Sequence, residues 1–110
     1  MTRDTAIAEI TRRLVEYYHP QRIYLFGSVA RGDDGPDSDL DFCVVLPDEA
    51  PKSLYLPGVH RSLWGVGTAA DVVRWPATDF DARGAHVAAS LPATVLREGR
   101  LLYDARRVAA

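Results

Sequence analysis

The side chains best suited to chemistry lie in the stretch 27–45, GSVARGDDGPDSDLDFCVV. Gly27 and Ser28 directly follow an apolar run, and ten residues then separate Ser28 from Asp39. Asp39-x-Asp41 opens a second apolar run. Side chains alternate between the two faces of a strand, so both carboxylates are predicted to point the same way. Two such carboxylates repel each other unless a cation separates them, and Mg²⁺ suits a carboxylate pair together with substrate phosphates.

The Gly-Ser pair is suited to an anion. Gly27 lets the backbone approach a ligand closely, and a helical turn from Ser28 would direct free N–H groups at a phosphate. Arg31 could bind a triphosphate oxygen with two hydrogen bonds. Alternatively, Arg31 holds the shape of the loop by pairing with one of its acids, Asp33, Asp34 or Asp37. Phosphate at the Gly-Ser pair and metal at the acids would together form a nucleoside triphosphate site.

These two motifs at this spacing resemble the signature of the DNA polymerase beta-like nucleotidyltransferase superfamily. They are most similar to those of the minimal nucleotidyltransferases, single-domain proteins that often act as the antitoxin of a HEPN-domain toxin. The resemblance implies an α/β (α+β) fold, with a small mixed sheet of about three to four strands flanked by helices. It also implies a third carboxylate on a later strand, and Asp71 has that context. The alternative for Asp71 is an ordinary strand-edge Asp that caps a turn.

The resemblance further implies Mg²⁺-dependent transfer of AMP from ATP to a hydroxyl, with a tyrosine of a HEPN toxin as the expected acceptor. Two Mg²⁺ ions would be held by the acids, and Asp71 would also take the proton of the attacking hydroxyl. The residues implied as catalytic and metal-binding are Asp39, Asp41 and Asp71, and those implied as nucleotide-binding are Gly27, Ser28 and Arg31.

Two other functions stay open. The chain could block its partner by an interface alone, or it could modify a small molecule such as an antibiotic in a pocket completed by a second subunit. A homo- or hetero-oligomer is compatible with these alternatives. We expect a macromolecular acceptor, because no part of the chain is left over for an acceptor-binding domain.

Composition narrows the class of protein. The length of 110 residues predicts one domain over residues 1–110. The hydrophobic content of 47% is ordinary for a globular protein. A net charge of −2 argues against dedicated nucleic-acid binding.

The single cysteine, Cys43, is expected to be a small core hydrophobe in a reducing compartment. No apolar run approaches the ~18 residues of a membrane span, and the charged start, MTRDTAIAEITRR, is unlike a signal peptide. We therefore expect a cytoplasmic protein without a membrane partner.

The elements that must position the site follow from periodicity. Ile7, Ile10 and Leu14 form the apolar stripe of a helix over 4–18, ended by His19-Pro20. Strands are predicted at 22–26, 39–46, 69–75 and 100–103, and a loop at 47–57. A helix is predicted at 58–67, where His60, Arg61 and Trp64 could border the base, the alternative being surface polar groups and a core tryptophan.

The last third is predicted to hold one or two short amphipathic helices. Pro76 suits the first helical position, and a break is expected near Gly84 or Pro92. Gly99 is predicted to be the glycine that ends the second helix, and the tail at Arg106-Arg107 is expected to be frayed.

Overall fold

The structure is a computed structural model and describes residues 2–33, 35 and 39–108. These described residues form four strands and five helices, with two 3₁₀ turns between the second and third strands. The strands are β1 (Arg22–Phe26), β2 (Leu40–Leu46), β3 (Ala70–Pro76) and β4 (Arg100–Asp104). The helices are α1 (Arg3–Tyr18), α2 (Gly27–Arg31), α3 (Ala77–His86), α4 (Leu91–Glu98) and α5 (Ala105–Val108), and the 3₁₀ turns are Lys52–Tyr55 and Val59–Leu63.

The four strands form one mixed sheet in the order β3-β2-β1-β4. β1 is antiparallel to both of its neighbours, β2 and β4, whereas β2 and β3 are parallel. The parallel pair brings the start of β3 beside the start of β2, next to the end of β1. The predicted mixed α+β fold with helices flanking a small sheet is confirmed.

Helix α1 covers one face of the sheet. Its hydroxyl cap is Thr2, whose Oγ1 accepts the N–H of Thr5 at 3.1 Å, and its apolar stripe is fully buried. The stripe packs on alternate residues of β1 and β2, among them Leu25 and Phe42. The helix ends at His19, whose N–H donates to the carbonyl of Val15 at 2.9 Å. The predicted helix and its stop are thus confirmed.

Helices α3 and α4 cover the other face. Phe80 of α3 and Val95 of α4 pack on Tyr24, Cys43 and Val45. Cys43 is fully buried, as expected for a core hydrophobe. Burial raises the pKa of its thiol to about 12, so the thiol stays protonated near neutral pH.

The structure corrects several boundaries in the last third. Pro76 closes β3 and precedes α3 instead of starting it. The predicted break between two short helices is confirmed: it lies at 87–90, two residues before Pro92, while Gly84 lies within α3.

Gly99 does end α4, but with φ of −78°, so it needs no left-handed conformation. The requirement for glycine there is spatial. An added Cβ atom would stand 2.5 Å from the Val95 carbonyl oxygen and 3.0 Å from that of Leu25.

The tail is not frayed at Arg106-Arg107, which lie in α5. The Arg106 guanidinium donates to both carboxylate oxygens of Asp104, at 3.2 and 3.1 Å, and the Arg106 backbone N–H donates to the same group at 3.0 Å. These hydrogen bonds explain why the turn forms after β4.

Candidate functional site

Gly27 joins β1 to α2 and lies against the carboxylate of Asp41. Its φ of +79° is in the left-handed region that favours glycine. A Cβ atom at this position would overlap Oδ2 of Asp41. Phe26, the residue before Gly27, is the register partner of Asp41 across the β1/β2 pair. Any side chain at position 27 would therefore strain the turn and displace the carboxylate.

Ser28 lies one residue further on, half-buried in α2. Its carbonyl accepts the N–H of Asp33 at 3.1 Å, so the chain after α2 folds back on the Gly-Ser turn. The structure thus places both predicted phosphate-binding residues at the end of the sheet where Asp41 lies.

Asp41 on β2 and Asp71 on β3 are register partners in the parallel pair. Adjacent strands lie about 4.8 Å apart, and residues in register project to the same face. The two acids share the sheet face that carries Cys43 and Val73 further along. Asp41 is half-buried and Asp71 is exposed. The pairing of β2 with β3 therefore brings together two acids that are thirty residues apart in sequence.

Asp39 lies just before β2 and is exposed. Leu40, between the two acids, is fully buried in the core under α1. Because β2 begins at Leu40 and not at position 39, Asp39 precedes the strand, and its orientation toward the side of Asp41 stays a prediction.

The charges at this end of the sheet act on one another. Burial raises the pKa of Asp41, and the negative charges of Asp71 and Asp39 raise it further, while the guanidinium of Arg31 opposes these effects. Because the charges of Asp71, Asp39 and Arg31 all act on Asp41, its carboxylate lies at the centre of this cluster. A cation bound there would relieve the repulsion.

The donor set fits Mg²⁺ but is not a complete protein cage. Among the residues that the structure describes, no group of three or more His, Cys, Asp or Glu side chains is arranged to hold a metal ion. Mg²⁺ usually takes one or two carboxylates and completes its shell with waters and substrate phosphates. The Asp41–Asp71 pair is compatible with that mode, in which the nucleotide would supply the missing ligands.

Arg31 ends α2 and is paired with acids. Its Nε donates to Oδ2 of Asp33 at 3.2 Å, and one terminal nitrogen lies 3.8 Å from Oε2 of Glu98. The loop-shaping alternative is therefore observed for Asp33. Asp34 and Asp37 lie outside the described residues. Glu98 was not predicted, although it belongs to the Glu-Gly step that ends α4.

A family model for the nucleotidyltransferase domain matches residues 6–97. This range covers most of the chain and includes each of the six predicted site residues. The chain belongs to this nucleotidyltransferase family. The predicted resemblance is thereby confirmed, and nucleotidyl transfer is the activity of this family.

Solved structures of similar shape agree with this fold. A candidate nucleotidyltransferase from Sulfolobus solfataricus matches with a TM-score of 0.63 and 20% identity, over 94% of this chain and 81% of that one. A chain from a toxin–antitoxin structure solved with AMP-PNP matches with a TM-score of 0.60 and 19% identity, over 92% of this chain and 76% of that one. No curated protein matches the sequence significantly.

A cavity of about 400 Å³ opens beside the acids of this nucleotidyltransferase. Asp41 and Asp71 line it, together with Pro57 and Val59 from the middle segment, residues 47–67. Phe26 and Arg74 also line it. Sequence periodicity could not place these residues here, because three prolines interrupt any helical or strand pattern in 47–57 and the helix predicted at 58–67 does not form.

The middle segment also overturns two predictions. Residues 58–67 form a 3₁₀ turn, Val59–Leu63, instead of a regular helix. Trp64 is not a core residue: it is 85% exposed. Arg13 of α1 donates to the carbonyls of Ser62 and Trp64, at 3.2 and 2.7 Å, and so holds the backbone while the indole faces solvent.

None of the described helices is both long and apolar enough to cross a membrane.

Proposed function

We propose that this nucleotidyltransferase transfers AMP from ATP, with Mg²⁺, to a hydroxyl on a protein partner, and that the partner is a HEPN toxin modified on a tyrosine. In this proposal the chain acts as the antitoxin. The observation that carries it is the placement of Gly27 and Asp71 on either side of the Asp41 carboxylate. A phosphate-binding turn and an acidic pair then share one end of the sheet.

The reaction is an in-line displacement at the α-phosphorus. The acceptor oxygen forms a bond to this phosphorus, the bond to the bridging oxygen of the β-phosphate breaks, and pyrophosphate leaves. Mg²⁺ would be held by Asp39, Asp41 and Asp71, with two ions expected, and it would neutralise phosphate charge as the new bond forms.

The remaining steps belong to the chain's own side chains. Gly27 and Ser28 bind the β- and γ-phosphates through backbone N–H groups and the serine hydroxyl, and Arg31 contacts a triphosphate oxygen. Asp71, the most exposed member of the pair, accepts the proton of the attacking hydroxyl. Fixed charges and donors of this kind lower the barrier chiefly by positioning the reactants and by balancing charge.

The partner assignment has two supports. The similar chain in the toxin–antitoxin structure was solved with AMP-PNP, and we carry that setting to this chain as part of the proposal. In addition, the cavity beside the acids measures about 400 Å³, near the lower end of the range for small-molecule sites, which leaves little room for a small acceptor beside the nucleotide. A protein acceptor would bring its own binding surface to the site.

Toxin neutralisation tests the proposal. The purified chain, ATP and Mg²⁺ are incubated with the HEPN toxin, and both AMP attachment and residual toxin activity are measured. The wild-type chain is expected to attach AMP and silence the toxin, while Asp41→Asn does neither. Full neutralisation by Asp39→Ala/Asp41→Ala would contradict a catalytic antitoxin.

The second candidate is a binding antitoxin that blocks its partner without transfer. The exposed side chains of Trp64 and Leu56, at 85% and 62%, favour it, because exposed large apolar residues are common in protein interfaces. The same assay separates the two functions: binding alone predicts that Asp41→Asn neutralises as well as the wild type.

A further inference from the structure

We propose that Glu98 is a positioning residue that holds Arg31 for the triphosphate. The inference rests on the proposed function, in which Arg31 contacts ATP. It gives a role to the Glu-Gly step at the end of α4, which the reaction as described above does not use.

The contact joins two separate elements. Arg31 is the last residue of α2, Glu98 is the last residue of α4, and their charged groups lie 3.8 Å apart. Asp33 also pairs with Arg31, at 3.2 Å, but it lies only two residues away on the loop that follows α2. Glu98 therefore offers Arg31 a fixed point outside its own loop.

Core packing determines where Glu98 lies. Val95, one turn earlier in α4, is fully buried, and the Gly99 N–H donates to its carbonyl at 2.7 Å. A Cβ atom on Gly99 would stand 3.0 Å from the carbonyl oxygen of Leu25, so the end of α4 is in close contact with β1. Leu25 lies two residues before Gly27. The packing thus places the Glu98 carboxylate at the end of the sheet where the Gly-Ser turn lies.

An arginine side chain has many rotamers, and this conformational freedom is lost when the guanidinium binds a phosphate in a defined geometry. A carboxylate on a well-packed helix reduces this loss by limiting where the guanidinium goes before ATP arrives. Both side chains are about two-fifths exposed, at 42% and 41%, so the pair contributes little to stability. Its effect is expected in nucleotide binding.

The sign of the effect distinguishes positioning from simple electrostatics. ATP is a polyanion, so the removal of a nearby negative charge should by itself tighten its binding. If Glu98 positions Arg31, its removal should weaken binding instead. The variant Glu98→Gln keeps the size of the side chain and removes only the charge.

The test is titration calorimetry of MgATP at fixed ionic strength without acceptor. We expect Glu98→Gln to raise Kd roughly two- to fivefold, as suits an exposed ion pair. In an Arg31→Gln background the same change should weaken binding no further. In the transfer assay, KM for ATP should rise while kcat is unchanged. Glu16→Gln is the matched control, because it breaks an exposed ion pair of the same kind, with Arg12, and should leave Kd unchanged.

An unchanged or lower Kd for a folded Glu98→Gln chain would overturn the positioning role and leave the proposed function standing. An equal loss in the Arg31→Gln background would also overturn it, since Glu98 would then act independently of Arg31. If the wild-type chain binds no MgATP, both the proposed function and this inference fail.

Discussion

Asp41 on β2 stands beside Asp71 on β3 as its register partner in the only parallel strand pair found among the described residues. Burial and the charges of Asp71 and Asp39 raise the pKa of Asp41. The folded chain therefore binds this proton more tightly than the unfolded chain does. At neutral pH the charged carboxylate opposes folding, and a bound cation with nucleotide would remove that penalty.

We expect Asp41→Asn to increase the free energy of unfolding at pH 7 without ligand. The gain should be about 1 kcal/mol or less, because Asp41 is partly exposed and solvent screens the repulsion. Urea unfolding measures it. Asp48→Asn is the control of opposite sign, since hydrogen bonds from Thr78 lower the pKa of Asp48 and its charged form favours folding.

The gain should depend on pH. Below the usual Asp pKa of 3.8, the Asp41 carboxyl is protonated in both states and the two chains should differ little. The penalty on the wild type grows as pH rises above 3.8 and is complete once pH exceeds the raised folded value. A stability difference that shrinks as pH rises toward neutrality would contradict this picture.

Glycine at position 27 is expected to be required for its small size as well as for its backbone angle. Gly27 and Gly32 have nearly the same φ, +79° and +80°, but of the two only Gly27 has a described residue within 4 Å of an added Cβ atom, the Asp41 carboxylate. Alanine at either position should lower stability by about 1 kcal/mol through backbone strain. Gly27→Ala should in addition abolish nucleotidyl transfer, and Gly32→Ala should retain it. Equal activity of the two variants would contradict the close contact with Asp41.

Gly99 and Gly84 provide a second comparison, this time of stability. A Cβ atom on Gly99 would meet two backbone carbonyls, whereas one on Gly84 would chiefly meet the flexible end of Leu96. We expect Gly99→Ala to destabilise by about 1–3 kcal/mol, as overpacking does. Gly84→Ala should have a small effect, because Leu96 can move and alanine favours a helix. Thermal unfolding of both variants decides between them.

The fold near the site could be predicted because it depends on local signals. The run before Gly27, the Gly-Ser step and the alternation around Leu40 each define a strand or a turn within a few residues. The mixed sheet followed from those signals together with the resemblance.

The rest of the fold and of the candidate site could not be predicted, because it depends on contacts between distant parts of the chain. Trp64 has a large apolar side chain, typical of a core residue. The hydrogen bonds from Arg13, some fifty residues away, nevertheless hold its backbone so that the indole is exposed. The positions of Glu98 and Gly99 likewise depend on the packing of the end of α4 against β1, and no sequence pattern around these residues indicates that packing. The pairing of Asp41 with Asp71 was expected from the resemblance and not from spacing, because strand order is not encoded locally.

The two tryptophans should differ in their effect on stability. Trp64 is 85% exposed, while Trp75 packs on the α3/α4 side of the sheet and carries the Arg83 guanidinium 5.6 Å above its ring. Trp64→Ala should change the free energy of unfolding by no more than about 0.5 kcal/mol, and Trp75→Ala should cost about 2 kcal/mol or more. Denaturant unfolding of each variant measures the difference. A large loss from Trp64→Ala would show that the indole is buried.

The most direct test of nucleotidyl transfer follows a labelled phosphate of ATP. The purified chain and Mg²⁺ are incubated with host lysate and with ATP labelled either at the α- or at the γ-phosphate, beside Asp39→Ala/Asp41→Ala. Relative to lysate incubated without the chain, we expect one additional protein band from α-labelled ATP, no additional band from γ-labelled ATP, and none with the double variant. An additional band that persists with the double variant, or that also comes from γ-labelled ATP, would contradict nucleotidyl transfer at Asp39, Asp41 and Asp71.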